Sequence, residues 1–194
     1  EEARQRMNNL AMQGVPFLFI IDYEGKRAVV EPENEVGANE LKYCFNGKGN
    51  ATQTAKPANG DIEWDIEPPT EAEYQHSFNT VRNAMLAGNS YLANLTCRIG
   101  LRTNLSLLDL YHAAEARYRL WMKDKLVCFS PETFVKIAQG EISSYPMKGT
   151  AEDVSPSSAE QLLANEKEAA EHATIVDLIR NDLSMVANDV HVER

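Results

Sequence analysis

Three stretches of this sequence combine residue types that do chemistry. In Ser130-Pro131-Glu132 a carboxylate follows a proline between two apolar runs. Held rigidly there and shielded from water, a glutamate keeps its proton to higher pH and serves as a general acid; the same residues also describe an exposed turn. In Tyr145-Pro146-Met147-Lys148-Gly149-Thr150 a lone lysine stands between a proline and a glycine. The backbone at Gly149 can approach a ligand closely, and desolvation of Lys148 would free a nucleophilic amine, although a surface loop lysine fits the same pattern. In the third stretch Glu168 and Glu171 lie three residues apart in a helical run and share a face. Two oxygen ligands on one face suit a partly hydrated magnesium ion, while with Glu166 and Lys167 they equally suit the solvated side of an ordinary helix.

These groups need elements to position them. Met7, Leu10 and Ala11 recur at helical spacing before Gly14, and Phe17 to Ile21 with Arg27 to Val30 reads as a hairpin across Glu24-Gly25. Leu41 to Phe45 reads as a strand, and the polar run 46–61 as a loop. Thr70 followed by Glu73 forms a capping box, and Tyr74, Phe78, Val81 and Met85 continue a helix to Gly88. Ser90 to Leu101 is extended, and Ser106 to Arg119 is a second helix with Leu107, Leu110, Tyr111 and Ala114 on one face. Strands at Leu126 to Phe129, Phe134 to Ala138 and Glu141 to Tyr145 follow, the last two joined by a Gln139-Gly140 turn. From Ser155 to Val186 the chain is helical in two pieces that break near Asn165, the second burying Ile175, Val176, Leu178, Ile179 and Leu183. Val190 to Val192 alternates like a strand.

Composition narrows the partners. Nineteen Lys and Arg against 29 Asp and Glu give a net charge of −10, without a basic stripe, so no nucleic acid partner is expected. The apolar run Val15 to Ile21 contains Pro16 and is far shorter than the ~20 residues that cross a bilayer. No membrane association and no secretory leader are expected. Cys44, Cys97 and Cys128 are few and scattered, which disfavours a disulfide framework or thiolate metal site and fits a reducing cytoplasm. The sequons at Asn50 and Asn94 are chance matches on that reading.

Four motifs in one order carry a resemblance: Gly88-Asn89-Ser90-Tyr91-Leu92-Ala93-Asn94-Leu95-Thr96, Ser130-Pro131-Glu132-Thr133-Phe134, Pro146-Met147-Lys148-Gly149-Thr150, and Asn165 to His172 continued by Ile175-Val176-Asp177-Leu178-Ile179-Arg180-Asn181-Asp182-Leu183. Together they resemble the chorismate-utilising enzymes, which include the anthranilate, aminodeoxychorismate, isochorismate and salicylate synthases. The resemblance implies an α+β fold of antiparallel sheets flanked by helices, with 1–69 an N-terminal hairpin region and 70–194 the first half of a catalytic domain. It implies chorismate as substrate, Lys148 as the nucleophile that attacks ring position two, and Glu132 as the acid that protonates the departing hydroxyl at position four. Gly149 and Thr150 would bind substrate, and Glu168 and Glu171 would hold Mg.

Lysine before the glycine-threonine pair is similar to the aminodeoxychorismate synthases, component I, where anthranilate synthases typically carry alanine. The expected activity is therefore chorismate amination in folate precursor synthesis, with ammonia from a glutamine amidotransferase subunit. Anthranilate synthase component I, or a non-catalytic chorismate-fold binding module, is the alternative. Leu92 stands where water-activating members carry lysine and many amine-transferring members carry glutamine, which argues against water activation. The family's second half, with a further magnesium carboxylate and a glycine-rich loop, is not matched, so the chain is expected to be a fragment that is inactive alone, with an open edge at Asp189 to Val192.

Overall fold

The computed structural model describes residues 1–54, 61–147, 160–161 and 164–193. Local hydrogen bonding sets where the helices start. Thr70 accepts from the Glu73 backbone while the Glu73 carboxylate accepts from Thr70, opening α2 (Glu71–Leu86). The Ser106–Asp109 pair opens α3 (Leu107–Ala113) in the same way. Both boxes satisfy amides that a helix start leaves without partners. In each, the partner hydroxyl and amide hold the carboxylate below its ordinary proton affinity, Glu73 through Thr70 and Asp109 through Ser106.

Helix α1 (Glu2–Met12) packs on the antiparallel hairpin of β1 (Phe17–Ile21) and β2 (Ala28–Pro32), and Arg6 meets Glu31 at 2.8 Å. Alternation along β1 sends Leu18 and Ile20 to one face. They pack there on Leu41, Tyr43 and Phe45 of β3 (Leu41–Phe45) and on Leu120 and Met122 of β6 (Tyr118–Met122). Strand β6 is the middle of a three-stranded antiparallel sheet, between β3 and β7 (Leu126–Ser130). The outer edge of β3 is closed locally. The Asn50 side chain accepts from the Tyr43 amide at 2.9 Å and donates to the Leu41 carbonyl at 2.9 Å, acting as a short strand neighbour. Gly49 makes this possible, since a Cβ there would stand 2.1 Å from the Tyr43 oxygen.

The second face of the sheet carries Cys44, Arg119 and Trp121, against which α3 packs with Tyr111. Arg119 is 3% exposed and its guanidinium lies 5.0 Å from the centre of the Tyr111 ring. It donates to the carbonyls of Tyr111, Ala114 and Thr52 at 3.3, 3.1 and 2.7 Å, and its Nε has no partner among the described residues. The first two carbonyls belong to the C-terminal end of α3, where the helix dipole favours a cation. The Tyr111 hydroxyl donates to the Ala51 carbonyl at 2.6 Å.

Two further antiparallel pairs stand apart from this core. Strands β4 (Trp64–Glu67) and β5 (Gly100–Thr103) form a ribbon with Trp64, Ile66 and Leu101 on an exposed apolar face. Asp65, Glu67 and Arg102 share the opposite face, where Arg102 pairs with both carboxylates. Strands β8 (Lys136–Ala138) and β9 (Glu141–Ser143) turn at Gln139 and Gly140, which have φ of 56° and 83°, the left-handed pair of a type I′ hairpin. Helix α4 (Glu166–Ser184) starts at Asn165, whose side chain accepts from the Glu168 amide. The pairings β3–β6 and β4–β5 join residues on either side of position 69.

The α+β expectation therefore holds: among the described residues the strand pairs are antiparallel, and α1 and α3 pack against them. Four local expectations do not. The helix expected over 106–119 ends at Ala113, because from Tyr118 the pattern changes to an alternation that places Arg119 and Trp121 inward in β6. Strand β4 was not expected, its four residues being too few to show a period. Val190 to Val192 forms no strand and joins no ladder among the described residues, so the strand expected there does not form. The apolar stripe of α4 is not buried: Leu178 is exposed and its companions are half-buried.

The Tyr111 lock can be tested by pH and by substitution. Burial pushes the phenol up to about 12, against the pull of the Arg119 charge, whereas an unfolded tyrosine ionises near pH 10. The neutral phenol is favoured in the folded state. Its contribution is therefore full below pH 10 and lost as the pH rises toward 12, so phenolate absorbance should show a late-titrating tyrosine that is absent from Tyr111→Phe, beside Tyr43, which burial and Glu33 also push up and which remains in the variant. That variant leaves the Ala51 carbonyl without its donor and should lose about 1 kcal/mol in urea unfolding.

Candidate active site

Glu132 follows β7 directly. Ser130 accepts from the Glu132 amide at 3.1 Å and donates back to its carbonyl at 3.3 Å, so Ser130-Pro131-Glu132 is a tight, self-bonded turn. The next residue, Thr133, shares a hydrogen bond with the Tyr118 hydroxyl, which ties the turn to the middle strand of the central sheet. From there the chain runs into the β8–β9 hairpin and comes back beside itself. The Ser143 hydroxyl donates to the Lys136 carbonyl, Ser144 donates to the Phe134 carbonyl at 2.9 Å, and the Met147 amide donates to Glu132 Oε1 at 3.0 Å. A hairpin with a fixed turn thus returns residue 147 to the glutamate fifteen positions earlier.

Lys148, Gly149 and Thr150 lie outside the described residues. Met147, the residue before Lys148 in the sequence, is held by the Glu132 carboxylate, so the second and third motifs meet at that hydrogen bond. Of the two readings of Ser130-Pro131-Glu132, the described residues show the exposed turn, since Glu132 is exposed. Proline 131 fixes the turn, but nothing among the described residues covers it.

The glutamate pair sits in the first two turns of α4. Lys167 Nζ lies 3.4 Å from Glu168 Oε1 and 3.3 Å from Glu171 Oε1, and these pairs, Glu171 first, hold the lysine above its ordinary proton affinity. Glu168 and Glu171 are the sheltered partners, 19% and 31% exposed, whereas the lysine side chain is 74% exposed. Among the described residues no three His, Cys, Asp or Glu side chains converge as a metal cage. The donor set is all oxygen and already collects a cation, which fits a magnesium ion that keeps several waters and takes one or two carboxylates. Among the described residues no hydrogen bond joins Glu132 to Glu168 or Glu171; Glu132 meets Met147, and Glu168 and Glu171 share Lys167.

A third feature was not expected. Phe78, Val81, Met85 and Leu86 of α2 line an open apolar groove of about 550 Å³ with Tyr91 and Leu95 of the first motif. The helical stripe was legible, but not that it would face open space beside the Gly88–Thr96 segment. In that segment Ser90 folds back on Leu92, accepting from its amide and donating to its carbonyl at 2.7 Å.

The described residues thus place an exposed carboxylate at the rim of the central sheet and a carboxylate pair on a following helix. The chain belongs to the chorismate binding enzyme family, which matches it over residues 3–194. It is 40% identical over 190 residues to an uncharacterized PabA-like protein of Haemophilus influenzae, covering 98% of this chain and 57% of that protein. It is 30% identical over 139 residues to the chloroplastic anthranilate synthase alpha subunit 2 of Oryza sativa subsp. japonica, covering 64% of this chain and 23% of that one. Aminodeoxychorismate synthase component 1 of Klebsiella aerogenes is 31% identical over 127 residues, covering 59% of this chain and 28% of that one. The chain thus spans a little over half the length of the Haemophilus relative. No solved structure matches it.

The contact between Glu132 and Met147 predicts a contrast. Glu132→Gln retains an oxygen that can accept from the Met147 amide, and Glu132→Ala does not. Hydrogen exchange at Met147 should stay near wild type in the first and speed up in the second.

Proposed function

We propose that this chain carries the nucleophile, the acid and part of the metal site of an aminodeoxychorismate synthase component I, which converts chorismate and ammonia to 4-amino-4-deoxychorismate. The observation that carries the reading is the Glu132–Met147 hydrogen bond, which sets a carboxyl group beside the residue that precedes Lys148. Hydroxide is a poor leaving group and ammonia a modest nucleophile, so dividing one displacement into two assisted ones lowers each barrier. The Lys148 amine forms a bond to ring position two, both ring double bonds shift by one position, and the hydroxyl at position four leaves as water with a proton from Glu132. Ammonia then forms a bond at position four, both double bonds shift back and the lysine is released. The Glu132 carboxylate takes the surplus proton.

Glu168 and Glu171 would hold magnesium, which supplies positive charge to a substrate carboxylate that an acidic protein otherwise repels. Gly149 and Thr150 would bind substrate through a backbone that can come close. Ammonia would come from a glutamine amidotransferase partner. No helix among the described residues is long and apolar enough to cross a membrane, and all three cysteines are free, which supports a cytoplasmic setting for folate precursor synthesis. Anthranilate synthase is the second reading, favoured by the similarity to the Oryza protein and opposed by Lys148.

Amination assays on the whole protein test this. Chromatography should show aminodeoxychorismate rather than anthranilate, and Lys148→Ala should lower turnover by about a thousandfold or more, whereas an ordinary surface lysine would change stability by about 0.5 kcal/mol or less. Normal turnover in that variant would remove Lys148 from the chemistry. Glu171→Gln should raise the magnesium requirement more than Glu166→Gln, because residues 166 and 171 are turned roughly 140° apart on the helix.

A further inference from the structure

Lys167 occupies an unusual place for a lysine. It stands in the first turn of α4, where the helix dipole disfavours a cation and where Glu166 and Glu168 are the expected residue type. What offsets that placement is its position one residue before Glu168 and four before Glu171, which lets one flexible stem put its ammonium on both carboxylates. The two glutamates are the sheltered partners and the lysine the solvated one, so the ammonium approaches the pair from the water side. It can swing away without disturbing any packing.

We propose that Lys167 is a built-in counter-ion that occupies the Glu168–Glu171 carboxylate pair and must leave before a divalent cation can bind there. The inference rests on the reading of that pair as magnesium ligands. Two carboxylates on one helix face repel each other, and the ammonium cancels part of that repulsion while no metal is bound. An ammonium and a hydrated divalent ion need the same oxygens and repel each other at such distances. Metal binding is then an exchange of one cation for another, and its affinity is lowered by the strength of the lysine pairs. The lysine thereby tunes the site toward a cation that binds well only when another anion shares it.

Titration of the intact protein with Mn2+, followed by the electron paramagnetic resonance signal of the free ion and without substrate, reads this directly. Lys167→Met should bind Mn2+ about two- to tenfold more tightly than wild type, the combined worth of two exposed ion pairs. Glu168→Gln and Glu171→Gln should bind it more weakly. Unchanged or weaker binding by Lys167→Met, with both glutamine variants impaired, overturns the counter-ion role and leaves the metal pair standing. Unchanged binding in the glutamine variants overturns the metal pair itself, and the counter-ion proposal with it. Far-ultraviolet circular dichroism, which reads the total helix content, is the companion measurement: loss of helix in Lys167→Met together with weaker binding would make the lysine a helix stabiliser and likewise overturn the proposal.

Discussion

A buried positive charge whose partners are backbone carbonyls is the constraint on which the central part of this structure rests. Taking a guanidinium out of water costs several kcal/mol unless its donors are matched, and Arg119 is matched by three carbonyls, the end of a helix and an aromatic face. Those partners come from α3 and from the Ala51–Thr52 segment, and the arginine itself belongs to the middle strand of the sheet. One side chain thus fixes a helix, a loop and a strand relative to each other. Arginine suits the position because its planar fork reaches several acceptors at once, which a lysine point charge does not.

From that fixed strand the candidate site is reached in two steps. The β6–β7 pairing delivers Ser130, and the self-bonded turn with the Tyr118–Thr133 contact sets Glu132 at the rim of the sheet. The type I′ hairpin then returns the chain so that Met147 meets that glutamate. Side-chain hydroxyls at Ser143 and Ser144 carry the register beyond the last ladder pair, so the approach to Lys148 is specified by short polar side chains as much as by strand pairing.

Much of this was legible because it is local. The two capping residues with their partners, the Gln139-Gly140 turn and the first hairpin follow from side chains within a few positions of one another. What was not legible depended on distant chain. The end of α3 could not be placed without knowing that Arg119 answers Thr52, and β4 is a strand only because β5 lies beside it. The α2 and α4 stripes have helical periods, but a period says which residues share a face and not what covers it. The candidate site divides likewise: spacing paired Glu168 with Glu171, whereas the roles of Lys148 and Glu132 came from motif resemblance, since no local rule separates a nucleophilic lysine from a surface one.

The placement of the two tryptophans gives the molecule a pair of natural optical reporters. Trp121 is 6% exposed in the central sheet with the Lys42 ammonium 5.8 Å from its ring centre, and Trp64 is 51% exposed on the apolar face of the ribbon. With those exposures, emission from the first should lie toward the blue and resist a dissolved quencher, and emission from the second should lie toward the red and be readily quenched. A single fluorescence spectrum therefore contains two separable signals, one for the arginine-centred core and one for the ribbon, and anything that comes to cover the ribbon changes the second without touching the first.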